Sequence, residues 1–124
     1  MDKLKFINDQ MNAIGVPYEF GEWTSDVVYP YFIGEITEDE PMTEDGLEQS
    51  TLMLTGFHRG DYIDLIEMRT RIKQHFEAIG GLRAMTASGS IAVFYAGSLF
   101  VPTGEAGLKR IQINLKIKEW KGGI

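Results

Sequence analysis

The stretch from Val27 to Ile36 does most to decide the fold, and it reads Val-Val-Tyr-Pro-Tyr-Phe-Ile-Gly-Glu-Ile. Pro30 lacks a backbone N–H and restrains Tyr29 to extended geometry, so a helix cannot continue through this point. A proline of this kind is tolerated at the first position of a strand or at a sheet edge. The apolar run that follows predicts a strand from Tyr31 to about Thr37. Because no catalytic pattern lies near it, the stretch indicates a structural scaffold.

The segment before this strand predicts a short amphipathic helix. Apolar residues recur there at spacings of three and four, at Leu4, Ile7, Met11 and Ile14. Gly15 and Pro17 come next, and both oppose further helix. The apolar stripe of this helix requires a sheet or a second helix to cover it.

After the first strand, the pattern predicts a hairpin and a second helix. A second strand runs from about Gln49 to Phe57, and the acidic segment Glu38–Glu48 forms a long loop between the two strands. Asp61 followed by Asp64 forms a weak capping-box pattern, and we expect a helix from Asp61 to Ile79 that ends at Gly80-Gly81. Its apolar stripe comprises Leu65, Ile66, Ile72, Phe76 and Ile79, with Arg69 at the margin.

The last third of the chain predicts two more strands. Ile91–Val101 is an apolar run with a preference for strand, and Pro102–Gly107 forms a turn. In Leu108–Glu119 polar and apolar residues alternate, which predicts that Ile111, Ile113, Leu115 and Ile117 face inward. The predicted fold is a single α+β domain over residues 1–124. It has an antiparallel sheet of about four strands and two main helices on one face, in the order α-β-β-α-β-β.

The composition is that of an ordinary globular domain and excludes several classes of protein. The chain has 124 residues, no cysteine and a net charge of −6. The absence of cysteine excludes disulfides and thiolate chemistry, and the negative charge argues against specific nucleic-acid binding. Lys116, Lys118 and Lys121 form at most a local basic patch, of the kind that solubilises a strand. We find neither a membrane span nor a signal peptide and expect synthesis in the host cytoplasm.

The polar residues form no recognisable catalytic or metal-binding pattern. The spacing of His58 and His75 matches no zinc-site motif, and the serines lack a nucleophile-elbow sequence and a placed base. The glycines form no phosphate-binding loop. We therefore assign no catalytic residue, no cofactor and no metal ligand, and we expect a protein that is not an enzyme.

The acidic segment Glu38–Glu48 has the highest density of charge in the chain and is a candidate interaction surface. Pro41–Thr43 interrupts any EF-hand register in this segment, so the pattern favours a solvated loop or an electrostatic docking surface over a specific metal site, which stays open as the third alternative. Trp23 and Trp120 either close the ends of the core or anchor an interface. The candidate interface residues are Glu38, Asp39, Glu40, Glu44, Asp45, Glu48 and Trp120.

The segment Gly15–Trp23, leading into Tyr29–Glu35, resembles the tail completion or tail terminator proteins of long-tailed bacteriophages and prophages. The resemblance implies a virion protein that forms a ring, usually hexameric, at the end of the tail tube. Its partners would be further copies of the chain, the tail tube protein and the neck proteins, with no membrane. The family has no residue signature that assigns an interface.

Two other functions remain open at this point. A head completion or stopper protein of the neck has similar size and charge. A small ligand-binding module would place aromatic side chains in a pocket between the sheet and the helices, at Tyr29, Tyr31, Phe94 and Tyr95. An enzyme would require acidic and tyrosine side chains to converge from distant segments.

Overall fold

The computed structural model describes residues 2–40, 46–77, 81–86 and 89–121. The strands form one sheet in the order β1-β2-β3-β6-β5-β4. β1 runs parallel to β2, and every other neighbouring pair of strands is antiparallel. Along the chain the elements are α1 (Asp2–Ala13), β1 (Tyr18–Phe20), β2 (Tyr31–Glu40), β3 (Leu47–His58), α2 (Tyr62–Phe76), β4 (Leu82–Thr86), β5 (Gly89–Val101) and β6 (Lys109–Trp120).

The predicted fold class is wrong in strand number, direction and order. We expected about four antiparallel strands in the order α-β-β-α-β-β. The described chain instead has a mixed sheet of six strands in the order α-β-β-β-α-β-β-β.

The two strands that were not predicted lie at the two edges of the sheet. β1 has only three residues, too few to show a periodic pattern, and it becomes a strand by pairing with β2. β4 reads Leu-Arg-Ala-Met-Thr, and its first four residues are better helix formers than strand formers. Its pairing with β5 overrides that preference, so tertiary contacts decide both edge strands.

Both ends of the acidic segment Glu38–Glu48 belong to strands, although the whole segment was predicted to be a loop. Glu38–Glu40 continue β2, with a bulge between Glu38 and Glu40, and Leu47 and Glu48 begin β3. The prediction that Glu38–Glu48 is all loop is therefore wrong at both ends. Lysines from other elements lie beside carboxylates here, which allows acidic residues to occupy paired strands. Residues 41–45 lie outside the described part of the chain.

The predicted alternation of the last strand is confirmed. The four inward residues are fully buried, while Gln112, Asn114, Lys116 and Lys118 lie on the opposite face and are half-buried. β3 alternates in the same way, so one face of the sheet carries the core. Both helices contribute to this core, which includes Ile7, Met11, Leu52, Leu54, Leu65, Ile72, Phe76, Ile111, Ile113, Leu115 and Ile117.

The start of α2 is confirmed, but the predicted capping box does not form. Asp61 is the N-cap residue and makes no side-chain capping hydrogen bond. The Asp64 carboxylate instead lies 2.9 Å from His58 Nε2. Asp64 therefore links the helix to the end of β3.

The apolar stripe of α2 is confirmed only in part. Leu65, Ile72 and Phe76 are fully buried, whereas Ile66 is exposed. The helix ends at Phe76, earlier than predicted. Ile79 and Gly80, the predicted last turn and cap, lie outside the described residues.

Candidate assembly surfaces

The predicted interface residues lie at the end of the sheet where β2 stops and β3 begins. Glu38 and Asp39 belong to β2, Glu48 to β3 and Trp120 to β6. Glu40 is the last residue of β2, and Glu44 and Asp45 lie outside the described residues. The structure therefore brings the described members together at one end, which we call the acidic end.

Asp39 is held by its own sheet. Lys116 Nζ and Thr51 Oγ1 each donate a hydrogen bond of 2.6 Å to Asp39 Oδ2. The hydrogen bond from Lys116, followed by the one from Thr51, lowers the pKa of the Asp39 carboxyl below its ordinary value. One of the three lysines of the predicted basic patch, Lys116, therefore neutralises part of the predicted acidic surface.

Glu48 is paired in the same way. Its carboxylate lies 3.7 Å from Lys3 Nζ and 3.5 Å from Lys121 Nζ, and Lys3 Nζ also lies 3.1 Å from Glu119 Oε1. The first turn of α1 is thereby tied to β3 and β6. Glu38 and Asp39 are both exposed. Because Asp39 and Glu48 are paired with lysines, the docking surface is less acidic than the sequence indicated.

Neither tryptophan belongs to the buried core. Trp23 packs against Tyr31, with the ring centroids 4.9 Å apart, on the face of the sheet that does not carry the helices. Trp120 is half-buried on that same face, with the Arg83 guanidinium 5.7 Å from its ring centroid. The prediction that the tryptophans close the core is wrong, and their alternative role at an interface stays a prediction.

The opposite end of the sheet carries an exposed apolar surface that the sequence analysis did not identify. At this end β2 and β6 begin and β3 and β5 stop. Of ten large apolar side chains that are exposed in the described chain, eight lie here. We call this surface the apolar end, and it comprises Val27, Val28, Tyr29, Tyr62, Ile63, Ile66, Leu99 and Phe100.

Contacts between three separate segments organise the apolar end. Arg59 donates hydrogen bonds to the Tyr29 hydroxyl (3.3 Å) and to Glu105 Oε1 (2.7 Å), which links the linker before β2 to the turn between β5 and β6. The Tyr62 and Phe100 rings meet edge to face, 5.2 Å apart. The apolar pairs Val27-Val28 and Tyr62-Ile63, placed at element starts, are the sequence signal that could have indicated it.

A cleft opens beside this end. His58 lines it and is 6% exposed. The Nε2 atom of His58 contacts Asp64, while Nδ1 is buried without a hydrogen-bond partner in the described chain. The cleft has a volume of about 300 Å³ and is lined by Tyr29, Pro30, His58, Asp64, Glu67, Met68 and Arg71.

The pocket expected for a ligand-binding module does not form from the residues predicted for it. Tyr29 lines the cleft described above, but Tyr31 and Phe94 lie on the sheet face without helices. Tyr95 packs against the core on the other face and donates a hydrogen bond of 2.8 Å to Ser98. Tyr29 and Tyr31 are neighbours, with ring centroids 5.8 Å apart, but the four aromatic side chains do not converge on one pocket.

The second histidine has a structural role. His75 Nε2 lies 2.6 Å from Gln10 Oε1 and joins α2 to α1. Within the described ranges, no three acidic or histidine side chains are grouped so that they could hold a metal ion. Neither of the two described helices is long and apolar enough to cross a bilayer.

Comparison with known protein families found no family that matches this chain, and a search of curated proteins also found no match.

Proposed function

We propose that this protein is a non-enzymatic structural component of a phage virion, the tail terminator, and that it acts by assembling with copies of itself on the tail tube. The resemblance of Gly15–Trp23 and Tyr29–Glu35 to that family suggests the role. The exposed apolar end is the observation that carries it, because large apolar patches on a folded domain typically mark protein–protein contacts.

The arrangement of the two ends supports an assembly role. The apolar end and the acidic end lie at opposite ends of the same strands, so one copy presents two different surfaces in opposite directions. A subunit that lies between a tube and a neck requires such a pair of surfaces. Neighbouring copies in a ring also make heterologous contacts, in which different patches of the two copies meet.

The test is recruitment of the purified protein to tail tubes isolated from the phage or prophage that encodes it. Light scattering over a concentration series gives the mass of the free protein, and sedimentation with tubes gives the bound fraction. We expect a ring-sized assembly in solution or recruitment to tubes. A protein that does neither contradicts the proposed function.

Substitutions at the apolar end test the surface itself. Val28→Ser combined with Ile63→Ser removes two exposed apolar side chains, and we expect at least a tenfold loss of tube binding. Met85→Ser is the matched control, because Met85 is 81% exposed but lies on β4, away from the apolar end. If wild type and the double variant bind tail tubes equally well, the apolar end is not the surface that contacts the tube.

A binding experiment with phage heads distinguishes the tail terminator from the neck alternative, a head completion or stopper protein. DNA-filled heads without tails replace the tubes in the same sedimentation experiment. Binding to heads and not to tubes would assign the protein to the neck. Serine substitution of Glu38, Asp39 and Glu40 should weaken whichever attachment is observed while the fold, measured by circular dichroism, is retained.

A further inference from the structure

The face of the sheet opposite the helices, which we call the open face, is unusually apolar for a surface in contact with water. An antiparallel sheet can leave one face to solvent, but its outward residues are then mostly polar. Here the outward positions include eight large apolar or aromatic residues, many of them half-buried by their neighbours alone: Tyr31, Ile33, Met53, Phe57, Phe94, Leu99, Val101 and Trp120. Aromatic residues and methionine are enriched at protein interfaces.

The charges on the open face are divided between its two halves. Within the described residues, the strands β1, β2 and β3 place acidic but no basic side chains there, and the strands β4, β5 and β6 place basic but no acidic ones. The acidic members are Glu19, Glu35 and Asp39, and the basic members are Arg83, Arg110, Lys116 and Lys118. Asp39 and Lys116 pair with each other within one copy, so the other five charges carry the division. Two of the cations lie over aromatic rings, Arg83 at Trp120 and Lys118 at Phe94, so these charges are held close to the face.

We propose that the open face binds the open face of a second copy of this chain, in a dimer with a two-fold axis parallel to the strands. The centre of the sheet lies between β3 and β6. An axis there places the acidic half of each copy over the basic half of the other. An axis across the strands would place like charges opposite each other, so the charge pattern selects the orientation.

The area of the open face is close to what a dimer interface with a second copy requires. The four long strands are about 4.8 Å apart and about 33 Å long, which gives roughly 600 Å² before the relief of the side chains is counted. Stable interfaces bury about 800 Å² per partner. The acidic half also makes an anionic polymer such as nucleic acid a poor match, because phosphates would meet Glu19, Glu35 and Asp39.

The proposal of this dimer does not rest on the proposed tail function, although the open face shares Leu99 with the apolar end and shares Asp39 and Trp120 with the acidic end. The test uses two charge reversals, Glu35→Lys and Lys118→Glu, with the full chain. At concentrations too low for ring assembly, light scattering of wild type should give about twice the 14.0 kDa chain mass. Each variant alone places like charges across both halves of the interface, and we expect its dimer dissociation constant to rise at least tenfold.

Mixing the two variants in equal amounts is the decisive step. In the mixed dimer one pair of facing halves keeps its wild-type charges. In the other pair the half that carries Glu35→Lys lies over the half that carries Lys118→Glu, so we expect the mixed dimer to be tighter than the dimer of either variant alone. Glu67→Lys, an exposed reversal on α2, is the control and should leave the dimer unchanged. A wild-type monomer at all concentrations would overturn the proposal, as would a dimer insensitive to both reversals, variants that stay monomeric on mixing, or duplex DNA binding without self-association.

Discussion

Lys3 Nζ lies 3.1 Å from Glu119 Oε1, and the two side chains are only 13% and 9% exposed. This pair joins the first turn of α1 to the end of β6. Replacing one member of a buried ion pair leaves the other charge buried and unpaired, which costs about 3 kcal/mol. We expect Lys3→Met to lower the free energy of unfolding by about that amount, measured by urea denaturation.

Two further variants separate the charge from the packing at this pair. Lys3→Met combined with Glu119→Leu should regain most of the lost stability, because no unpaired charge remains buried. Lys5→Met removes the exposed Lys5–Asp9 pair on the same helix and should have little effect. If the double variant is as unstable as Lys3→Met, unpaired charge is not the cause.

Leu115 tests the register of β6. The side chain is fully buried, and its replacement by alanine should lower the free energy of unfolding by about 2 to 5 kcal/mol through lost burial and the cavity left behind. Asn114→Ala, one position away and on the open face, is the control and should cost much less. Equal losses from the two substitutions in urea denaturation would show that the assigned faces are wrong.

Gly34 lies beneath the ring of Tyr18. A Cβ at this position would meet the Tyr18 hydroxyl and ring carbon within 3 Å, so Gly34→Ala should destabilise the fold by about 1 to 3 kcal/mol. Thr37→Ala on the same strand, at an exposed position, is the comparison. Thermal unfolding monitored by circular dichroism should separate the two variants clearly, and matching midpoints would contradict the packing of Tyr18 on Gly34.

The hydroxyl group of Tyr18 is buried, which affects both its pKa and the stability of the fold. Desolvation raises the pKa of its phenol to about 12, and its hydroxyl has no hydrogen-bond partner in the described chain. Tyr18→Phe should therefore leave stability at neutral pH unchanged or slightly improved, because it removes an unpaired buried polar group. A loss above about 1 kcal/mol in urea denaturation would indicate a partner for the hydroxyl.

The Asp39 carboxyl should make the stability of the fold depend on pH. The hydrogen bonds from Lys116 and Thr51 lower the folded-state pKa of its carboxyl below the ordinary value of 3.8. The resulting stabilisation is fully present above the unfolded-state pKa and is lost as the pH falls from there through the folded-state pKa. Asp39→Asn should be less stable than wild type at neutral pH, and the difference should shrink below about pH 4. A difference that is constant from pH 7 to pH 3 in urea denaturation would exclude this linkage.

The sequence by itself determined those elements whose pattern is long enough to repeat. The alternation of Leu108–Glu119 identified the buried residues of β6, the spacing of Leu4, Ile7 and Met11 identified α1, and Pro30 marked the start of β2. For α1 and β6 the burial of one face follows directly from the periodicity, whereas the start of β2 follows from the missing N–H of Pro30.

Only the tertiary structure decided the edges of the sheet and the assembly surfaces. β1 and β4 are strands because a neighbouring strand offers them backbone partners, which neither their length nor their composition reveals. The acidic segment extends two strands because lysines from α1 and β6, distant in sequence, lie beside its carboxylates. The apolar end and the divided charge of the open face exist only once strands far apart in the chain are placed side by side, since each strand contributes only one or a few of the side chains.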